Sequence, residues 1–141
     1  MTSTATVQHE LAATFHRALT TKDWALLREI MVPGVVWTLP GDNAISGTAT
    51  GVDEVIARAE LIAGYGLDFA LEHVLVSRDN MALGLHNTAR RGDLVLDEHL
   101  ATVCTLRDGR IVAIETYLSD LDGMNAFFAS DTPGPSAGLL A

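Results

Sequence analysis

The sequence predicts an α+β fold: a curved antiparallel sheet with the N-terminal helices packed on one of its faces. Two observations predict it. Apolar residues recur at the helical period as far as Ala63 and at the strand period, every second position, from Asp68 onward. In addition, helices that precede a run of consecutive antiparallel strands are typical of one sheet covered by helices on one side.

The N-terminal half is predicted to contain three helices and a short hairpin. The first helix has apolar residues at a spacing of four, at Val7, Leu11, Phe15 and Leu19. The second covers residues 23–31 and ends before Pro33-Gly34. Residues 35–47 form a strand, a Pro-Gly turn and a short return strand. The third helix begins near Asp53 and ends at Gly64.

The C-terminal half is predicted to be a meander of four strands, at residues 68–77, 80–91, 94–106 and 110–119. A last helical turn follows within 121–129. We expect one domain over residues 1–130 and a flexible tail at 131–141.

Side-chain alternation assigns the faces of these strands. Strand 80–91 has its large apolar residues at odd positions, and strand 94–106 has them at even positions. A two-residue turn at Gly92-Asp93 then places His86 opposite His99 outside and Asn87 opposite Glu98 inside. A three-residue loop at 107–109 makes a further set of pairs: Thr102 with Ile114, Leu100 with Thr116, and His99 with Tyr117.

The composition is that of a globular domain and limits the partners. The chain has 141 residues, 48% of them hydrophobic, and a net charge of −9. Its nine basic residues do not cluster beyond Arg90-Arg91, so neither nucleic acid nor an anionic membrane is expected as a partner. The single Cys104 excludes an intrachain disulfide. Because no signal peptide or membrane-spanning run is visible, we expect a cytoplasmic location.

The paired histidines of the outer face have two interpretations. Two imidazoles on adjacent strands can share a metal ion, but a third ligand is needed and Tyr117 is a poor one. The favoured interpretation is a face that packs against a second subunit. We therefore expect no metal, and a homodimer that forms through His86, His99, Ala101, Glu115 and Tyr117.

The inner face carries the candidate catalytic residues. A carboxylate on an aliphatic wall loses solvation, so Glu98 is suited to general acid–base chemistry, with Asn87 as the group that orients it or the substrate. His73 has the same parity as Phe69 and Leu71, which favours either a satisfied core histidine or a second acid–base group. Trp37 is a core residue or a ligand platform.

Four segments resemble the SnoaL-like branch of the nuclear transport factor two-like superfamily over about residues 7–129. They are the N-terminal helix pair, the strand ending WTLPG, the helix GVDEVIARA and the closing LRDGRIVAIETYLSDLDG. The resemblance implies that the curved antiparallel sheet is cone-shaped with the N-terminal helices on its concave face, and that the protein forms a dimer through the outer sheet face. It also implies a range of functions, since this fold hosts isomerases, cyclases, epoxide hydrolases, dehydratases and non-catalytic modules.

The family's catalytic residues are missing from the matching positions. Where ketosteroid isomerase-like members have an aspartate base before a proline, this chain has Leu39, and their oxyanion donors fall on Phe15 and Thr102. The acidic set of limonene epoxide hydrolase-like members falls on Leu100, Thr102 and Thr116.

These observations predict a cofactor-free enzyme, an isomerase, cyclase or related lyase, that acts on an apolar polycyclic or polyketide-like substrate. Glu98, Asn87 and His73 would be catalytic. The substrate would lie against a set of mostly apolar residues: Phe15, Trp37, Leu39, Leu100, Thr102, Thr116 and Leu118. Two alternatives stay open: a non-catalytic protein that binds a hydrophobic ligand or acts as a scaffold, and an epoxide hydrolase.

Overall fold

The structure is a computed structural model that describes residues 4–129. Its helices are α1 (Thr4–Thr21), α2 (Trp24–Glu29), α3 (Val52–Ala63) and α4 (Leu121–Phe127). Its strands are β1 (Met31–Leu39), β2 (Gly47–Thr50), β3 (Asp68–Ser77), β4 (Asn80–Arg91), β5 (Leu94–Arg107) and β6 (Arg110–Leu118). The predicted tail at 131–141 lies outside the described residues.

The six strands form one curved sheet in the order β2-β1-β6-β5-β4-β3. Helix α1 packs against β3 and β4, α3 against β1 and β2, and α4 against β5, so the apolar sides of the helices cover the inner face. The predicted α+β fold class is therefore confirmed. One neighbouring pair, β1 with β6, is parallel, which the alternation pattern did not indicate. None of the helices in the described range is long and apolar enough to cross a bilayer.

The boundary between α2 and β1 differs from the prediction. The helix ends at Glu29, and β1 already begins at Met31, before Pro33-Gly34. Met31 is 1% exposed and pairs with Ile111 of β6, so burial of its side chain favours the strand. The register then shifts between Met31 and Val36, and this irregularity accommodates the exposed Pro33, which cannot donate a backbone hydrogen bond. The return strand β2 also begins later than predicted, at Gly47.

The register of β4 with β5 is confirmed. His86 pairs with His99 and Asn87 with Glu98, as the two-residue turn requires. The faces are also as predicted, because Asn87 and Glu98 are buried whereas His99 is exposed.

The predicted register of β5 with β6 is wrong by two residues. Thr102 pairs with Thr116, Leu100 with Leu118 and Ala101 with Tyr117. The turn contains two residues, Asp108 and Gly109, and both have positive φ (52° and 78°), which is the conformation that hairpins prefer. A β-bulge between Thr105 and Leu106 supplies the extra residue, so the inner face keeps its apolar side chains.

The predicted inward orientation of His73 is wrong as well. Leu71 pairs with Leu85 and His73 with Gly84, so Glu72 is an extra residue at a bulge in β3. After this bulge the alternation changes phase, and His73 lies exposed on the outer face with its Cβ over Gly84.

Candidate functional site

A cavity of about 50 Å³ lies between the helices and the inner face of the sheet. The four described helices and every strand except β2 contribute residues to its wall. The lining residues are Phe15, Leu19, Leu27, Met31, Trp37, Leu39, Ile45, Val55, Ala59, Ile62, Leu67, Phe69, Leu85, Asn87, Leu100, Thr102, Ile114, Thr116 and Met124. The free space is that of a few water molecules.

The wall of this cavity is uncharged. Within the described residues, no aspartate, glutamate, histidine, lysine, arginine, cysteine or tyrosine lines it. Its polar groups are the side chains of Asn87, Thr102 and Thr116 and the indole of Trp37. The cavity can therefore form hydrogen bonds with a bound molecule but offers no group that exchanges a proton near neutral pH.

The threonines and the tryptophan form one polar cluster. Thr102 and Thr116 are direct neighbours on β5 and β6, and both are buried. The Nε1 of Trp37 donates to Oγ1 of Thr116 at 2.9 Å. Since the Thr116 hydroxyl accepts this bond, its own proton is available to an acceptor in the cavity.

Asn87 has an unsatisfied side-chain atom. The residue is 5% exposed, and its Oδ1 is buried without a hydrogen-bond partner in the described part of the chain. A buried acceptor without a donor costs about 1–3 kcal/mol, so a donor that enters the cavity gains affinity here.

Seven of the ten residues predicted for the pocket line the cavity: Phe15, Trp37, Leu39, Asn87, Leu100, Thr102 and Thr116. Leu118 packs against the core beside the cavity. His73 lies on the opposite face of the sheet, so its predicted place in the pocket is wrong. Glu98 faces inward but is also outside the lining.

The Glu98 carboxylate accepts hydrogen bonds from the segment that connects β6 to α4. It is 1% exposed, and its Oε1 accepts from the Asp120 N–H at 2.8 Å and from the Ser119 hydroxyl at 3.4 Å. Burial raises the pKa of this carboxyl, and the nearby Asp120 charge raises it further, against the opposing effect of the hydrogen bonds from 119–120. Asp120 is the N-cap of α4, so Glu98 fixes the start of a helix whose Met124 lines the cavity.

Apart from Phe15, the sequence analysis did not predict the helical residues of the cavity wall, and it did not predict the contact that supports them. Val55, Ala59 and Ile62 of α3 line the cavity, and their helical spacing of four and three residues was the available signal for this contact. Arg58 was not singled out, although its guanidinium lies 5.0 Å from the Trp37 ring centroid and donates to the Trp37 carbonyl at 2.9 Å. No pattern in the sequence links these two residues.

The predicted histidine pair forms on the outer face. The rings of His86 and His99 are stacked with centroids 4.1 Å apart and planes 9° from parallel. Nε2 of His86 lies 2.5 Å from Oδ1 of Asp97, and Nδ1 of His99 lies 3.3 Å from Oε1 of Glu72. The hydrogen bond from His86 lowers the pKa of the Asp97 carboxyl.

Comparisons with known proteins agree with this architecture. The sequence profile of the SnoaL-like domain matches residues 12–114. The uncharacterized protein Rv0034 of Mycobacterium tuberculosis is 30% identical over 111 residues, which are 76% of this chain and 85% of that protein. The structure of Bal32a, from a soil-derived mobile gene cassette, has a TM-score of 0.84 and 25% identity over 89% of this chain and 99% of that chain. An NTF2-like protein of unknown function from Burkholderia pseudomallei has a TM-score of 0.76 and 19% identity, over 88% and 98% of the two chains.

Proposed function

The chain belongs to the SnoaL-like domain family, with the nuclear transport factor two-like fold, and from this premise we propose that it binds a small, uncharged and mostly apolar molecule. The proposed site is the cavity between helices and sheet. The observation that carries the proposal is the unpaired, buried Oδ1 of Asn87 on a wall without ionisable side chains in the described range.

The wall defines the chemistry of the ligand. An ion that entered would lose its hydration without meeting an opposite charge, which disfavours charged molecules. A hydroxyl or N–H group on the ligand would donate to Oδ1 of Asn87, and a carbonyl or ether oxygen would accept from the Thr102 or Thr116 hydroxyl. The remaining contacts would be apolar. We therefore infer a neutral molecule with one polar end.

The size of the cavity requires side chains to move on binding. A cavity of about 150 Å³ accommodates benzene in a protein core, whereas the space here is about 50 Å³. Two methionines, Met31 and Met124, lie on the wall, and their unbranched side chains change rotamer at little cost. Their displacement is the simplest way to enlarge the site.

Phenol and benzene form a matched pair of probes for this site. They differ by the hydroxyl that would donate to Asn87, a bond worth about 0.5–1.5 kcal/mol, so phenol should bind roughly two- to tenfold more tightly. Both should shift the methyl signals of Met31 and Met124 in NMR spectra, while the signal of Met81, which is buried outside the cavity, should stay unchanged. In Asn87→Leu, which keeps the side-chain volume, the preference for phenol should disappear while benzene still binds. No shift with either probe, or a preference that survives in Asn87→Leu, would refute the proposal.

Cofactor-free isomerisation or cyclisation is a second candidate function, and Glu98 favours it. This buried carboxyl has a raised pKa and lies directly opposite Asn87 on the inner face. Proton transfer would require its side chain to leave the Asp120 N–H and turn toward the cavity. Incubation with neutral β,γ-unsaturated ketones, followed by chromatography of the isomers, tests this activity. Turnover should be lost in Glu98→Gln with phenol binding unchanged, and equal rates in both proteins would remove Glu98 from the mechanism.

The alternative of an epoxide hydrolase receives no support from the cavity. That reaction needs carboxylates beside the epoxide, and none lines the cavity within residues 4–129.

A further inference from the structure

Three side chains with metal-binding atoms converge on the outer face of the sheet, on the side opposite the cavity. They come from three neighbouring strands: Glu72 from β3, His86 from β4 and His99 from β5. One ligand atom from each lies within 4.8 Å of the other two. Glu72 is therefore the third ligand, which the sequence pattern did not identify for the histidine pair.

Two features of the sheet bring these residues together. The turn at Gly92-Asp93 sets the register in which His86 and His99 are direct neighbours. The bulge in β3 inserts Glu72 between residues that pair with β4, and its carboxylate reaches Nδ1 of His99 at 3.3 Å. Bulges commonly redirect side chains toward functional sites.

We propose that Glu72, His86 and His99 bind a divalent transition-metal ion such as zinc. Two imidazoles and a carboxylate are a ligand set that zinc and its neighbours in the first transition series prefer, whereas magnesium and calcium prefer oxygen ligands alone. In the single chain, the side chain of His99 is 59% exposed and that of Glu72 is 43% exposed, so water can complete the coordination there.

Asp97 adds a fourth group to this site. Its carboxylate lies 2.5 Å from Nε2 of His86. With Nδ1 of His86 as the metal ligand, Asp97 holds the imidazole in place through the other nitrogen, as carboxylates do in many metal sites. With Nε2 as the ligand, Asp97 is itself close enough to coordinate the ion.

Metal binding requires a small rearrangement that can be observed. The two rings are stacked with planes 9° from parallel, whereas the lone pairs of two ligating nitrogens must point at the same ion. One imidazole must therefore rotate. Such a rotation changes the ring NMR signals of His86 and His99 and leaves those of the other histidines, His9, His16 and His73, unchanged.

Calorimetric titration of the metal-free full chain with zinc chloride tests the proposal. We expect one zinc ion per chain, and ring-nitrogen shifts confined to His86 and His99. In His99→Ala the affinity should fall more than about tenfold. The matched control is His73→Ala, which removes an imidazole from the same face but from outside the cluster, and its affinity should be unchanged.

Two further measurements keep the result interpretable. Glu72→Gln retains a hydrogen-bonding group beside His99 but removes the charge, so it should also weaken zinc binding without disturbing the fold. Magnesium in excess should not compete, which separates a site from general attraction to a chain of net charge −9. Equal losses in His99→Ala and His73→Ala, effective competition by magnesium, or no saturable binding would overturn the proposal.

Discussion

At the residue scale, Asn87 and Glu98 are direct neighbours on adjacent strands but contact different parts of the molecule. Asn87 lines the cavity, whereas the Glu98 carboxylate accepts hydrogen bonds from Ser119 and Asp120. Alternation in the sequence predicts the face on which each residue lies. Alternation does not predict the direction of the Glu98 carboxylate, because the rotamer of this flexible side chain depends on hydrogen-bond donors in a segment that is distant in sequence.

The titration of Glu98 leads to a prediction about stability. Burial raises the pKa of this carboxyl above 4.5, so the folded state favours the protonated form. As the pH rises above the pKa of the unfolded chain, the unfolded chain loses this proton first, while the folded chain still holds it. The free energy of unfolding therefore falls as the pH rises through the folded pKa. Glu98→Gln has no such proton. The free energy of unfolding of Glu98→Gln relative to wild type should thus increase between about pH 4.5 and pH 7, as measured by urea denaturation.

A surface carboxylate provides the control for this measurement. Glu60 is exposed on α3 and lies outside the predicted dimer contact, so Glu60→Gln removes a charge from the surface and leaves the buried carboxyl of Glu98 in place. A pH dependence of the same size in both variants would show that the effect comes from net charge and not from the burial of Glu98.

At the element scale, Arg58 connects α3 to the first two strands. Its guanidinium donates to the carbonyls of Trp37 and Gly47 at 2.9 Å each and lies over the Trp37 ring. Helix α3 supplies Val55, Ala59 and Ile62 to the cavity, so this contact holds two walls of the site together.

Substitution of Arg58 by lysine should destabilise the protein. An ammonium group cannot reproduce the planar set of donors, so the half-buried carbonyl of Trp37 and the exposed carbonyl of Gly47 lose a charged hydrogen-bond partner. We expect a loss of about 1–3 kcal/mol in urea denaturation. The matched control is Arg28→Lys, which alters an exposed pair with Asp53 at 2.8 Å and should cost less than about 1 kcal/mol. Similar losses in the two variants would contradict the role assigned to Arg58.

The accuracy of the sequence prediction differs between strands and bulges. The strands β3 to β6 were predicted to within about one residue, since alternation and turn residues mark their ends. The bulges were missed because each shifts the alternation by one residue inside a strand, where no turn residue marks the change. A signal existed in β3, where the inward residues Leu71 and Val74 are three apart instead of two.

At the scale of the whole molecule, the outer face of the sheet carries apolar groups that the described helices do not cover. Leu75 and Tyr117 are each 58% exposed. The residues predicted for a dimer contact lie on this face, although the corrected register places Tyr117 beside Ala101 and Glu115 beside Val103. The homodimer stays a prediction.

A bulky charge at the centre of this face tests the dimer. Ala101→Arg places a guanidinium between His99 and Val103 along β5, so we expect a monomer where the wild type is a dimer in light scattering. Leu61→Arg alters an exposed apolar residue on α3, away from the outer face of the sheet, and should leave the mass unchanged. A monomeric wild type, or a dimeric Ala101→Arg, would exclude this contact.

The parallel pairing of β1 with β6 has a consequence for biosynthesis. Residues 31–39 are synthesised well before their partner in the sheet, residues 110–118. The β1–β2 hairpin therefore cannot join the meander until β6 has been synthesised, and until then one edge of β1 is unprotected. A nascent chain halted just before β6 would expose the edges of both β1 and β5, and it should be the arrest point most dependent on chaperones.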